Sequence, residues 1–191
     1  RTLVTGPAPY DFQDELDKFE KTFADDLEYL DEEPVLKKKY DAIKEAIAAN
    51  PMSDSAKRGM KLFAGKANCT ACHAGANFAD EQYHNLGVGM DVEKPDLGRY
   101  EVTKMEKDKG AFKTPTLRNV VLSPPSMHDG SQATLEEVVD WYDKGGHPNP
   151  WLSDKMKPLK LTDQEKADVV AFMKEGLTGS FPQIQTARLP E

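Results

Sequence analysis

Apolar residues recur at helical spacing along much of the chain, and a long stretch without any period separates two groups of such segments. Val35, Leu36, Tyr40, Ile43 and Ile47 fall on one side of a helix predicted over Val35 to Ala48. The acidic segment before it, which follows a turn at Gly6, Pro7 and Pro9 and runs to Pro34, also reads as helical. Pro51 closes this section. Ser53 or Ser55 then caps a helix over Ala56 to Ala64, with Met60, Leu62 and Phe63 available for burial and Gly65 as its stop. Further on, Thr134 with Glu137 and Thr162 with Glu165 are capping boxes. They open helices over Leu135 to Lys144 and Asp163 to Glu175, stopped by Gly145-Gly146 and by Gly176. In the first of these, Leu135, Val138, Val139 and Tyr142 stand at i, i+3, i+4 and i+7, which makes one buried stripe.

Residues 74–130 are the irregular part, punctuated by Gly75, Gly87, Gly89, Pro95, Gly110, Pro115 and others. So long an aperiodic stretch inside a compact domain is usually functional. The expected fold class is therefore mostly α, with short helices and long loops. The chain of 191 residues can bury a core without disulfides. Three segments are expected: a helical lead-in over 1–50, the principal domain over 51–179 and a C-terminal tail over 180–191 that docks or frays.

Charge narrows the partners. The formal net charge is −8, and residues 1–33 alone set eleven carboxylates against Arg1, Lys18 and Lys21. The remainder balances to zero. A field concentrated in this way repels phosphate, so nucleic acid and anionic membrane surfaces are not expected partners. No apolar run approaches the roughly 20 residues of a spanning helix, so no membrane insertion is expected. No signal-peptide pattern is present, although a processed chain would have lost it.

The two cysteines of the chain decide the chemistry. They fall in Cys69-Thr70-Ala71-Cys72-His73, the attachment pattern of a c-type haem, in which each sulfur adds to a vinyl group and the histidine meets the iron as proximal ligand. A thioredoxin-like pair wants a βαβ context that the glycine-dotted continuation does not offer. A structural zinc site wants four ligands, and there is no second cysteine pair. A disulfide across two residues would be strained and would leave His73 unexplained. One covalent haem c is thus expected, wrapped by the irregular stretch. The other axial position stays open on pattern alone. Met60 and Met173 sit at apolar helix positions and read as core, whereas Met90, Met105 and Met156 lie in loops. Tyr142 is the alternative; an open position is the third. Trp141 lies beside the stripe, and His84, His128 and His147 are loop histidines that more often bond than ligate.

The block Phe112-Lys113-Thr114-Pro115-Thr116-Leu117-Arg118-Asn119-Val120 is followed by Met127-His128-Asp129-Gly130 and Thr134-Leu135-Glu136-Glu137. It resembles the C-terminal haem domain of the bacterial dihaem cytochrome c peroxidase and MauG-like family. The resemblance extends upstream through Arg58 to Phe63 and Tyr83 to Val88, and to Arg1-Thr2-Leu3-Val4 at the lead-in. Downstream it covers Leu161 to Phe172 and Leu177-Thr178-Gly179. It implies a cytochrome c-like helical domain with Cys69, Cys72 and His73 on the haem. It also implies His128 near the haem propionates, and Arg118 as a further propionate or interface contact, with a structural ion pair as the alternative for that residue. The family's distal ligand lies on the helix after His-Asp-Gly, methionine in the peroxidases and tyrosine in the MauG-like branch, and that position is Tyr142 here. The backbone carbonyls of Ser123 and Pro125 match positions that bind an interdomain calcium in the family.

The resemblance further implies that this haem stores or relays an electron for a second, N-terminal haem domain where hydrogen peroxide is reduced. No second attachment motif occurs in these 191 residues. The expected role is therefore electron transfer as the C-terminal half of such an oxidoreductase, with a stand-alone monohaem carrier as the rival. A weak peroxidase acting through a displaced Tyr142 is a third possibility. The expected partners are an electron-donor protein, either a small cytochrome c or a copper protein, and a second haem domain or chain. Attachment of haem c outside the bacterial cytoplasmic membrane makes the periplasm the expected location. The acidic lead-in reads either as a face for a basic redox partner or as a solvated helix.

Overall fold

Proline at the first helical position starts two of the helices, because its missing N–H costs nothing there. A computed structural model describes residues 7–180; the lead-in Arg1 to Val4, Gly6 and the tail beyond Ser180 lie outside the described residues. The chain divides into two units, whose boundaries fall after Pro51 and after Leu177.

In the first unit, α1 (Pro9–Thr22) and α2 (Pro34–Ala49) are joined by a 3-10 segment over Leu27–Glu32. The acidic segment is thus interrupted after Thr22, where Phe23 leaves the helical conformation at φ −115°, ψ 32°. Phe19 is buried, with ring centroids 4.8 Å from Phe23 and 5.5 Å from Tyr40. Tyr40 donates to Glu20 at 3.1 Å. The apolar side of α2 is narrower than its spacing suggests, since Ile43 is buried but Val35 is 81% exposed. Val35 stands in the first turn, before the helix reaches its packing partner.

The second unit, Met52–Leu177, carries the haem motif. Its frame is the crossing of α3 (Asp54–Ala64) and α6 (Asp163–Ala171). Ser53 is the cap of α3, its hydroxyl accepting from the Ala56 amide at 3.1 Å. At the crossing, Asp168 takes both Arg58 nitrogens at 2.8 Å, with Ser55 at 2.6 Å and Gln164 at 3.0 Å. Phe63 stands edge-on to Phe172, which is fully buried. α5 (Leu135–Asp143) packs on α6, and both expected capping boxes are formed. The predicted helix to Glu175 changes character after Ala171, where a π turn over Phe172–Gly176 turns Phe172 and Met173 inward.

The irregular stretch holds more order than its composition announces. Strands β1 (Tyr83–Asn85) and β2 (Ala111–Lys113) pair antiparallel, His84 opposite Phe112. One helical turn, α4 (Tyr100–Thr103), lies between them. Three-residue strands carry no alternation long enough to be seen in sequence. Their register is fixed by Asn85, whose buried amide bonds the Lys109 carbonyl at 2.8 Å, the Gly87 amide at 2.7 Å and the Asn149 side chain. The outcome is a mostly helical unit with loops folded around one cavity.

Candidate haem site

The loop after α3 is shaped by backbone geometry. Gly65 ends the helix, its amide bonding Lys61 at 2.9 Å, and Asn68 takes a left-handed conformation, φ 52°, that asparagine tolerates. A 3-10 turn over Cys69–Ala71 follows, closed by the His73 amide on the Cys69 carbonyl at 2.8 Å. Both thiols and the imidazole are thereby brought to one wall of a cavity of about 420 Å³. That size is within the usual range for an enclosed organic ligand.

His73 is prepared to ligate. Its Nδ1 lies 2.8 Å from the Phe78 carbonyl oxygen, so this nitrogen carries the proton and Nε2 is left for a metal. Burial lowers its pKa, against the opposing pull of the Phe78 and Pro115 carbonyls, and keeps the ring neutral. Burial likewise pushes the Cys69 thiol up to about 12 and raises that of Cys72. These are protonated, enclosed thiols, suited to being joined to a group inside the cavity rather than to exchange with solvent.

α5 supplies a further part of the cavity wall. All four residues of the predicted stripe, Leu135, Val138, Val139 and Tyr142, line the cavity. Tyr142 is half-buried on this wall, and its phenol makes no hydrogen bond among the described residues. Burial raises its pKa, and the neighbouring Cys72 and Cys69 sulfurs add to the effect. An unpartnered phenol lining the same apolar cavity as the His73 imidazole is a polar group awaiting a partner. A haem iron would supply one, so the residues present fit the group: Cys69 and Cys72 would hold it, and His73 and Tyr142 would offer ligands to its iron.

Among the methionines, Met127, Met156 and Met173 line the same cavity. Met173 was expected in the core and is buried, but its side chain also forms part of this wall, brought there by the π turn. Met90 stands outside the wall and Met105 is largely exposed. Trp141 turns away from the stripe, its indole donating to the Leu86 carbonyl at 3.0 Å with Lys144 over the ring at 3.9 Å.

The other residues singled out are placed as follows. His128 lines the cavity and stacks on Phe112, centroids 3.6 Å apart. Ser123 and Pro125 also border it. Arg118 does not: its Nε donates to the Ala76 carbonyl at 2.9 Å and its guanidinium lies over Phe78, behind the loop that carries His73. His84 lines the cavity and bonds Asp80 at 2.8 Å, while His147 stands outside the wall, its backbone against Gly87. Asp80 and Lys155, which also reach this site, carry no sequence signal beyond their presence in loops.

Comparison with known proteins gives the family of the chain. The sequence model of the family described as Cytochrome c matches residues 56–176. The chain is 41% identical over 164 residues to the cytochrome-c peroxidase IdrP1 of Denitromonas iodatirespirans, covering 70% of this chain and 43% of that protein. It is 44% identical over 137 residues to the methylamine utilization protein MauG of Methylorubrum extorquens, covering 71% and 38%. The crystal structure of a MauG-like protein associated with microbial copper homeostasis superposes with a TM-score of 0.60 at 34% identity, covering 68% of this chain and 48% of that one. The chain thus spans less than half the length of these relatives. With its attachment motif, its helical frame and its apolar cavity, the chain belongs to the cytochrome c family, as a domain related to the dihaem cytochrome c peroxidases and MauG.

Proposed function

We propose that this domain transfers electrons through one haem c with His73 and Tyr142 as its axial residues, as the C-terminal half of a peroxidase- or MauG-like oxidoreductase linked to hydrogen peroxide. The observation that carries the reading is the unpartnered Tyr142 phenol, which lines the same cavity as Cys69, Cys72 and His73. When bound, the haem cycles between ferric and ferrous states and so carries one electron. The chain supplies the rest. Phe78 fixes the His73 tautomer, the stripe on α5 excludes water, and Tyr142 offers an oxygen that favours ferric iron. Burial raises the pKa of the free Tyr142 phenol, and a bound cation would favour the phenolate against it.

The same reading assigns a small cytochrome c or a copper protein as donor, a second haem domain as acceptor, and the periplasm as the location. His128 serves the propionates. Calcium at the Ser123 and Pro125 carbonyls needs most of its six to eight oxygen ligands from elsewhere. A stand-alone monohaem carrier is the second reading.

The deciding experiment is the ferric optical spectrum of the haem-loaded protein beside Tyr142→Phe. A changed spectrum supports the axial tyrosine, and an identical one removes it. Native mass spectrometry separates the two readings, because a partner chain or longer precursor bearing a second haem would exclude the stand-alone carrier.

A further inference from the structure

The wall around Cys72 holds a polar cluster that the axial pair does not use. Cys72 Sγ, a carboxylate oxygen of Asp80 and a ring nitrogen of His84 all lie within 4.8 Å of one another. Once the sulfur is a thioether, what remains is a carboxylate tied to an imidazole beside the attachment bond. Asp80 is the hub. It accepts from His84 Nε2 at 2.8 Å, from the Gln82 amide at 2.9 Å, from Lys155 Nζ at 3.3 Å and from the Thr114 hydroxyl. Lys155 also donates to the carbonyl of Ala71, between the two cysteines, at 2.7 Å. One carboxylate therefore ties the haem turn to β1, to the residue after β2 and to the loop that follows α5.

Its surroundings are only partly wet. The side chains of Asp80 and His84 are 18% and 14% exposed, and that of Lys155 37%. A charge so placed acts on a neighbouring redox centre through a lower effective dielectric than one in open solvent. Of the other charged groups near it, Glu81 is neutralised by its pair with Lys113, and Asp154 is exposed to solvent beside Lys155. The hydrogen bonds hold Asp80 ionised at neutral pH, and its field reaches both His73 and Cys72.

We infer that Asp80 is a positioning residue of the haem's thioether edge: it holds His84 and Lys155 against Cys72 and the Ala71 carbonyl, and its negative charge biases the centre toward the oxidised state. The inference rests on the haem c reading but not on the identity of the second axial residue. A negative charge near the iron favours the ferric form and a positive charge the ferrous form. Asp80 and Lys155, although bonded to each other, must therefore act in opposite directions.

The test is the midpoint potential of the haem-loaded full chain, measured by optical redox titration. Asp80→Asn is expected to raise the potential, Lys155→Gln to lower it and Asp80→Glu to return toward the parent value. Merely structural roles would loosen the same edge and move both deletions the same way. Shifts of one sign, or none, overturn the inference. Should Asp80→Asn fail to load haem, Lys155→Gln decides alone, a fall supporting the inference and an unchanged or raised potential overturning it. Failure of the haem c reading is seen separately, as absence of covalently bound haem in the parent chain.

Discussion

A Cβ on Gly59 of α3 would lie 1.8 Å from the carbonyl oxygen of Asp168 on α6. The two helices cross at backbone distance there, and the contact is to main chain, which cannot swing aside. Gly59→Ala is expected to cost about 3 kcal/mol or more, the upper end for an overpacked core, because the helices must separate along their whole contact. Denaturant unfolding of the haem-loaded protein measures it. A loss under about 1 kcal/mol would show that the crossing relaxes freely.

Directly below that contact, the Arg58 guanidinium, with Ser55 and Gln164, holds the Asp168 carboxyl well below its ordinary value. A carboxylate whose folded pKa is depressed stabilises the fold above its unfolded value, about pH 4, and loses that contribution as pH falls toward the folded value. Arg58→Met removes the bidentate partner and is expected to move acid unfolding to higher pH. Ellipticity followed through an acid titration checks it, and an unmoved acid midpoint counts against the pair.

The far end of α5 is held by backbone rather than by side-chain packing. Gly146 has φ +73°, and a Cβ there would lie 2.5 Å from the Leu86 carbonyl oxygen, which also accepts the Trp141 indole. Gly146→Ala is expected to cost more than the ~1–2 kcal/mol of the left-handed conformation alone. It should also disturb the ferric spectrum, since Tyr142 stands four residues earlier, in the last turn of α5. Trp141→Phe, which loses only the indole bond, should cost about 1 kcal/mol and leave the spectrum in place. Spectra and unfolding curves of both variants separate these effects.

At the axial position, Tyr142→Met is expected to introduce the weak far-red band of sulfur-ligated ferric haem and to raise the midpoint potential, because a thioether favours ferrous iron where a phenolate favours ferric. If the potential stays where Tyr142 leaves it and no sulfur band is seen, residue 142 does not reach the iron. Met127, Met156 and Met173, which share the cavity, are then the next variants to measure.

Local signals were read well where they are short in range. The Thr134/Glu137 and Thr162/Glu165 boxes, the Gly65 stop and the stripe of α5 all depend on neighbours within one or two turns, and each is formed. Contacts with no local signature were not legible. The β1/β2 pair is three residues long and is fixed by Asn85 reaching Lys109 and Asn149. The π turn that brings Met173 to the cavity arises where α6 meets the packed Phe63 and Phe172 rings, which a pattern of apolar positions cannot announce. Val35 matched the periodic stripe of α2 and yet lies in water, because periodicity says which residues share a side but not how far the partner extends.

By itself the sequence determined the attachment chemistry, since two thiols and an imidazole at Cys69, Cys72 and His73 are contiguous and need no fold to be recognised. It also determined the helices, through caps and spacing. Only the tertiary structure decided what faces that motif. Tyr142 stands 69 positions after His73 and lines the same cavity, on a helix that packs against the α3/α6 pair. It decided as well that Arg118 lies behind the His73 loop rather than on the cavity wall, and that Asp80, His84 and Lys155 converge on Cys72. Residues far apart in the chain are brought together by packing, and packing depends on shapes that no single segment contains.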